Sequence, residues 1–176
     1  MFFSKTAVLA LATAAVALPT SQQLDKRAGM LKSEPYANFQ ISDGVGGDAL
    51  AEVKKKFPID DSKIANIDPA DLKIIKDART TAEKAETDGF DPAIAKATGE
   101  EKDELEVGKI KNKVLKLQLE VEELQAEMAQ NMNTMSAEAK KTQQAKLTEE
   151  QQKLSNNIAE DKKNAGKKSK SVPFNG

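Results

Sequence analysis

The sequence predicts an all-α fold, a helical bundle built around a long antiparallel hairpin (about 100–131 and 136–165) with shorter N-terminal helices packed on it. Three observations predict it. Val107, Ile110, Val114, Leu117, Val121, Leu124 and Met128 recur at alternating spacings of three and four, an uninterrupted heptad seam. A weaker stripe of Leu105, Leu115 and Leu119, with Gly108, Ala126 and Ala129 nearby, runs along another side of the same helix. Two stripes require neighbours on two sides, so this helix is central to the bundle. After Asn131-Met132-Asn133-Thr134, a last helix of nearly equal length starts near Ser136 and stops at Gly166. Equal arms of roughly 30 residues, about 45 Å each, joined by a short turn, fold back on one another.

The shorter elements follow from local signals. Residues 33–47, SEPYANFQISDGVGG, form an extended or irregular lead-in after Pro35, with Tyr36, Phe39 and Ile41 covering the apolar end of the bundle. The glycine-rich run from Asp43 to Asp48 lacks the Lys and Ser/Thr of a phosphate loop and the ligand spacing of a calcium loop. It reads as the start of a helix capped by Ser42 or Asp43. Ala49, Leu50, Val53 and Phe57 then keep helical spacing until Pro58, with Lys54, Lys55 and Lys56 as the solvated face. Ile59, Ile64 and Ile67 plug the core from a turn that carries Asp60 and Asp61. Asp68 as cap, Pro69 at the first helical position and Asp71 in the first turn open the next helix, which Gly89 ends. Asp91-Pro92 repeats the start signal for a short helix, and Thr98-Gly99-Glu100-Glu101 reads as a capping box for the long one. The last helix has a thin seam, Leu147, Leu154 and Ile158, with Gln144 and Gln151 between them.

The beginning of the chain does not read as part of the domain. Lys5 precedes the apolar run Thr6 to Ala17, and Ala15 and Ala17 stand three and one residues before a signal-peptidase cut. That run is too short for a membrane span of about 20 residues. Lys26-Arg27, in a polar segment just behind it, marks a dibasic processing site. The organisation expected is a signal peptide at 1–17, a pro-segment at 18–27, one helical domain at 28–168 and a flexible tail at 169–176.

Composition narrows function more than it assigns it. The chain has no Cys, His or Trp. That removes disulfides, Cys/His zinc sites, thiol nucleophiles and His-based triads. A chain starting at Ala28 loses Lys5, Lys26 and Arg27 and one anion, Asp25, so 27 cations against 28 anions become 24 against 27, a net charge of −3. Mixed charge of this kind carries no electrostatic footprint for nucleic acid. The carboxylate pairs open to an enzyme are Asp60 with Asp68 and Glu122 with Glu123, and a glycosidase would need such a pair across a cleft. No catalytic residue, cofactor or metal ligand is assigned. Met128, Met132 and Met135 gather at the hairpin tip, where flexible thioethers either fill an irregular end of the core or form an adaptable contact surface.

Three stretches, SEPYANFQISDGVGGDALAEVKKKFP, GKIKNKVLKLQLEVEEL and KLSNNIAEDKKNAGKKSKSVPF, together with the leader and Lys26-Arg27, resemble a family of small secreted proteins of filamentous ascomycete fungi. The resemblance implies an extracellular protein matured by a kexin-type protease, of candidate effector or surface type, and brings no catalytic residues. The function expected is a secreted, non-enzymatic interaction protein with a protein partner and no membrane span, a monomer or homodimer. A hyphal surface or wall-associated structural protein is the alternative. Intact mass of the protein in culture fluid checks the processing: the secreted form should begin at Ala28. A species beginning at Leu18 and insensitive to loss of the processing protease would contradict it.

Overall fold

The computed structural model describes residues 29–175. Its helices are α1 (Tyr36–Phe39), α2 (Ala49–Lys56), α3 (Pro69–Lys84), α4 (Asp91–Lys96), α5 (Gly99–Asn131) and α6 (Ala137–Lys163). A 3₁₀ turn, Asp61–Asn66, links α2 to α3. Two short strands, β1 (Gly44–Val45) and β2 (Lys168–Ser169), pair antiparallel with Gly44 opposite Ser169. The fold is the all-α bundle that the periodicity predicts, with α5 at its centre.

Both arms of the hairpin lie where the spacing places them. Ser136 caps α6 by accepting the N–H of Ala139 at 3.1 Å, and the chain turns away at Gly166, φ +78°. Lys146 of α6 reaches Glu120 of α5 at 3.3 Å, and Gln143 reaches Glu127 at 3.3 Å, so the arms are antiparallel. α3 also runs antiparallel to α5, tied by Lys76 to Glu127 at 2.6 Å, Arg79 to Glu123 at 3.3 Å and Lys116 to Glu86 at 2.8 Å. Such partly exposed pairs contribute about 0–1 kcal/mol each. The larger stabilisation comes from the buried seam residues Val107, Val114, Leu117, Val121 and Leu124 and from Leu105, Leu115, Leu119 and Ala126 on the opposite side. Burying a side chain of that size is worth about 1.5–3 kcal/mol.

α5 has a third covered side that the two apolar stripes do not announce. α2 and the 3₁₀ turn lie along the row Lys111, Gln118 and Glu122, all three buried. Lys111 is 0% exposed. Its ammonium donates to the carbonyls of Asp43 and Val45 at 2.9 Å each and meets Glu52 at 2.9 Å. A buried cation is tolerated only with its donors filled in this way. Asn112, also fully buried, accepts the Tyr36 hydroxyl at 2.8 Å and donates to the Ala82 carbonyl at 2.8 Å, joining α1, α3 and α5. Burial pushes the Tyr36 phenol up to about 12.

Several local expectations are corrected. Residues 33–47 include a helical turn, α1, whose Tyr36 and Phe39 enter the main core. α2 is capped neither by Ser42 nor by Asp43 but from across the molecule. The Asp161 carboxylate of α6 accepts the N–H groups of Gly47 and Ala49, each at 2.9 Å. Gly89 does not stop a helix; it lies within a π-helical turn, Ala85–Phe90, whose wider winding carries α3 directly into α4. Thr98 makes no side-chain cap bond. In α6 the inward row uses Gln143 and Glu150, while Gln144 and Gln151 are exposed, a shift of one position.

Residues 169–175 are not a flexible tail. The Lys170 N–H donates to the Glu104 carbonyl at 3.0 Å, and the Ser171 N–H donates to Asp43 at 2.8 Å. Val172 is buried in a second small core with Phe90 and Leu105, and Phe174 packs edge-on against Tyr36 at 5.7 Å between centroids. Gly108 makes this possible, because a Cβ there would run into the Lys170 carbonyl oxygen. Gly108→Ala should therefore release the segment from Lys168 to Phe174 and cost about 2 kcal/mol, the burial of one aliphatic side chain. Amide exchange checks it: Lys170 and Ser171 should lose protection while the middle of α5 keeps its own.

Candidate functional site

Among the described residues a buried titratable group stands close to an open groove. α2, the 3₁₀ turn, α5 and α6 enclose a groove of about 460 Å³ with Leu50, Val121, Leu154 and Ile158 as its apolar walls. Lys54 and Asp61 stand at its edge, bonded to each other at 2.7 Å, and Gln118 opens into it. The sequence produces this arrangement because the inward row of α6 is sparsely apolar, so the helix covers α5 along a narrow stripe and leaves a gap towards α2.

Gln118 leads to Glu122, which is 1% exposed. The Gln118 amide donates to one Glu122 oxygen at 2.7 Å, and the other, Oε2, has no hydrogen-bond partner among the described residues. Burial, opposed by the bond from Gln118, pushes the Glu122 carboxyl up to about 7. The Asp61 charge reinforces the shift and Lys54 works against it. Near neutral pH this carboxyl can hold or release a proton, which an exposed glutamate cannot do there.

The carboxylate pairs open from sequence do not assemble. Glu123 turns to Arg79, while its neighbour Glu122 is buried under the 3₁₀ turn side. Asp60 accepts the N–H of Ser62 at 3.1 Å and pairs with Lys63 at 2.8 Å, which holds its carboxyl down at about 2. Asp68 caps α3 through the N–H of Ala70 at 2.7 Å. Each therefore serves local structure. Among the described residues no group of three or more His, Cys, Asp or Glu is placed to hold a metal ion, and no helix is long and apolar enough to cross a membrane.

The hairpin tip divides its methionines. Met128 continues the seam and packs on the main core, Met135 is half-buried, and Met132 points outward at 45% exposure. The processing residues Ala17, Lys26 and Arg27 lie outside the described residues. The buried polar row Lys111, Gln118 and Glu122 was not singled out from sequence. Its signal is a spacing of seven and four on one helix face, which a solvated face shows equally well.

Residues 31–173 match the family described as a domain of unknown function (DUF8454). The chain belongs to this family. No curated protein and no solved structure matches it. The DUF8454 match ends within the segment that Gly108 receives, so the region from Leu31 to Pro173 holds both small strands and all six α-helices.

The Glu122 carboxyl gives this domain a pH dependence of definite sign. Its folded-state pKa lies above its ordinary value of 4.5, so its favourable contribution is complete below about 4.5 and is lost as the pH rises through about 7. From pH 5 to pH 8 the protein should lose stability relative to Glu122→Gln, by an amount on the order of 3 kcal/mol for a shift of this size. Urea unfolding of the two proteins at both pH values measures the difference. Parallel stability curves would show that Glu122 does not titrate in this range.

Proposed function

We propose that this protein is a secreted, non-enzymatic interaction protein of fungal origin, freed by processing after Arg27 and acting on an extracellular or host protein target. The observation that carries this reading is how close to the dibasic pair the chain is already held. Met30 and Leu31 are already bonded to Asp71 of α3, only three and four residues beyond the dibasic pair. A cut after Arg27 therefore leaves these contacts and every described core residue in the mature chain. The engagement of Asp60, Asp68 and Glu123 in caps and ion pairs adds support. So does the composition, which lacks Cys and His and with them thiol nucleophiles and His-based triads.

The surface best suited to a partner is the hairpin tip, where Met132 is among the most exposed large apolar side chains described. Affinity capture with the processed protein, run in parallel on host tissue and on hyphal wall extracts, tests the function. A specific protein target recovered from the host or the extracellular fluid supports it. Retention of the whole population in the wall fraction points to the structural alternative. Met132→Lys should leave stability within about 0.5 kcal/mol, as exposed changes do, while weakening capture of the recovered target. A variant that captures the target undiminished would remove the tip from the interface.

A further inference from the structure

We propose that the 3₁₀ turn Asp61–Asn66 is a pH-operated flap. It stays latched to α2 while the buried Glu122 carboxyl keeps its proton, and it comes off α5 when that proton leaves for solvent.

The turn is a lightly held wall of the groove between α2 and α6. None of its residues is buried. Ile59 and Ile67 on either side pack on the main core, so its two ends are anchored and the stretch between them depends on polar contacts. Asp60 pairs with Lys63 and accepts the Ser62 N–H, contacts that lie within this stretch and travel with it. Among the described residues, the ion pair that ties the turn to another element is Asp61 with Lys54 of α2, at 2.7 Å. A turn of six residues has too few hydrogen bonds to stand alone in water. Once unlatched it frays, as segments with little buried apolar surface do at a small fraction of the global free energy.

Glu122 competes for that latch. It is 1% exposed, with one oxygen bonded to the Gln118 amide. Two charges from neighbouring elements act on it: Asp61 of the turn opposes its ionisation and Lys54 of α2 favours it. The remaining charges around it are engaged. Glu52 of α2 is held by Lys111, and the α3 cations Lys76 and Arg79 turn to Glu127 and Glu123. On α6 the groove is lined by Gln151, Leu154, Ser155 and Ile158, none of them charged, and the buried Glu150 is bonded to Lys153. With Glu122 protonated, one cation meets one anion. With Glu122 ionised, Lys54 stands between two carboxylates. Asp61 is 47% exposed and can turn to water, whereas Glu122 cannot. A buried charge gains more from a counter-ion than an exposed one does. Lys54, on its flexible stem, therefore follows Glu122, and the turn loses its tie to α2. The Glu122 carboxyl, pushed up to about 7, sets the exchange at neutral pH, with the flap shut below and open above.

Amide exchange of the full chain tests this at Lys63 and Ile67, whose N–H groups donate to the carbonyls of Asp60 and Ile64 and lose those bonds when the turn frays. Wild type is compared with Glu122→Gln, which keeps the neutral form at every pH. Comparison at one pH cancels the pH dependence of exchange itself. At pH 8, where a group of pKa about 7 is about nine-tenths ionised, both amides should exchange at least about fivefold faster in wild type, the change that about 1 kcal/mol produces. At pH 5 the two proteins should match. Adding Asp61→Asn to both should abolish the difference at pH 8, and Lys54→Met serves the same purpose should that variant not fold. Equal exchange at pH 8 overturns the proposal, as does a difference that survives loss of the latch. Exchange at Lys63 and Ile67 as slow as in the middle of α5 also overturns it, because the turn would then open only with the whole domain.

Discussion

The fold depends on one buried ammonium. Lys111, fully enclosed near the first third of α5, gathers the carbonyls of Asp43 and Val45 and the carboxylate of Glu52. Those acceptors fix the loop before α2, and that loop carries β1, on which β2 and the C-terminal segment pair. An apolar residue at this position would leave the two carbonyls without their donor, a penalty of about 1–3 kcal/mol for each that stays buried, while the partly exposed Glu52 would turn to water. The cation is thus less a source of net stability than a specification. With Lys111 in place, only one path of the loop satisfies it.

The same logic recurs around α5. Asp161 supplies from α6 the cap that α2 lacks locally, Asn112 joins Tyr36 to the α3 backbone, and Asp71 receives the N-terminal segment. These polar contacts all cross between elements distant in sequence, whereas the apolar stripes are interchangeable layers of Val and Leu. The hydrophobic period makes the bundle; the buried polar residues decide how its short elements sit on it. Glu122 leaves one oxygen unsatisfied, as Ser42 and Ser171 leave their hydroxyls, and it meets the groove between α2 and α6 only through Gln118.

This division explains what could be read in the sequence. Seam and caps are local signals, so α5, α6, the caps at Asp68 and Ser136 and the turn at Gly166 stand where spacing and residue type place them. Contacts between distant segments leave no such trace. Val172 and Phe174 are single apolar residues in a polar run without period, so nothing local distinguishes them from a solvated tail. Ser42 and Asp43 are good capping types near a helix start, and only the fold reveals that Asp161 does that work. The one-position shift in α6 has a similar origin. Gln143 and Gln144, or Glu150 and Gln151, are equally polar, and the facing helix makes the choice. The candidate site was partly legible: Met132 stands exposed at the tip, but Glu122 entered only as half of a pair with Glu123 that the helix geometry separates.

The pairing of β1 with β2 ties the early part of the domain to its late part, since Gly44 and Ser169 stand opposite each other across most of the described residues. Closing so large a loop carries an entropic cost that local helix formation does not help to meet. During synthesis the helices can form as they emerge, but Lys111 cannot hold its loop against β2, nor can Phe174 reach Tyr36, until the last residues are free. The domain therefore completes its native structure only once the segment from Lys168 to Phe174 has been made and can fold back. Until then Gly44 and Tyr36 lack the partners that the far end of the domain brings to them.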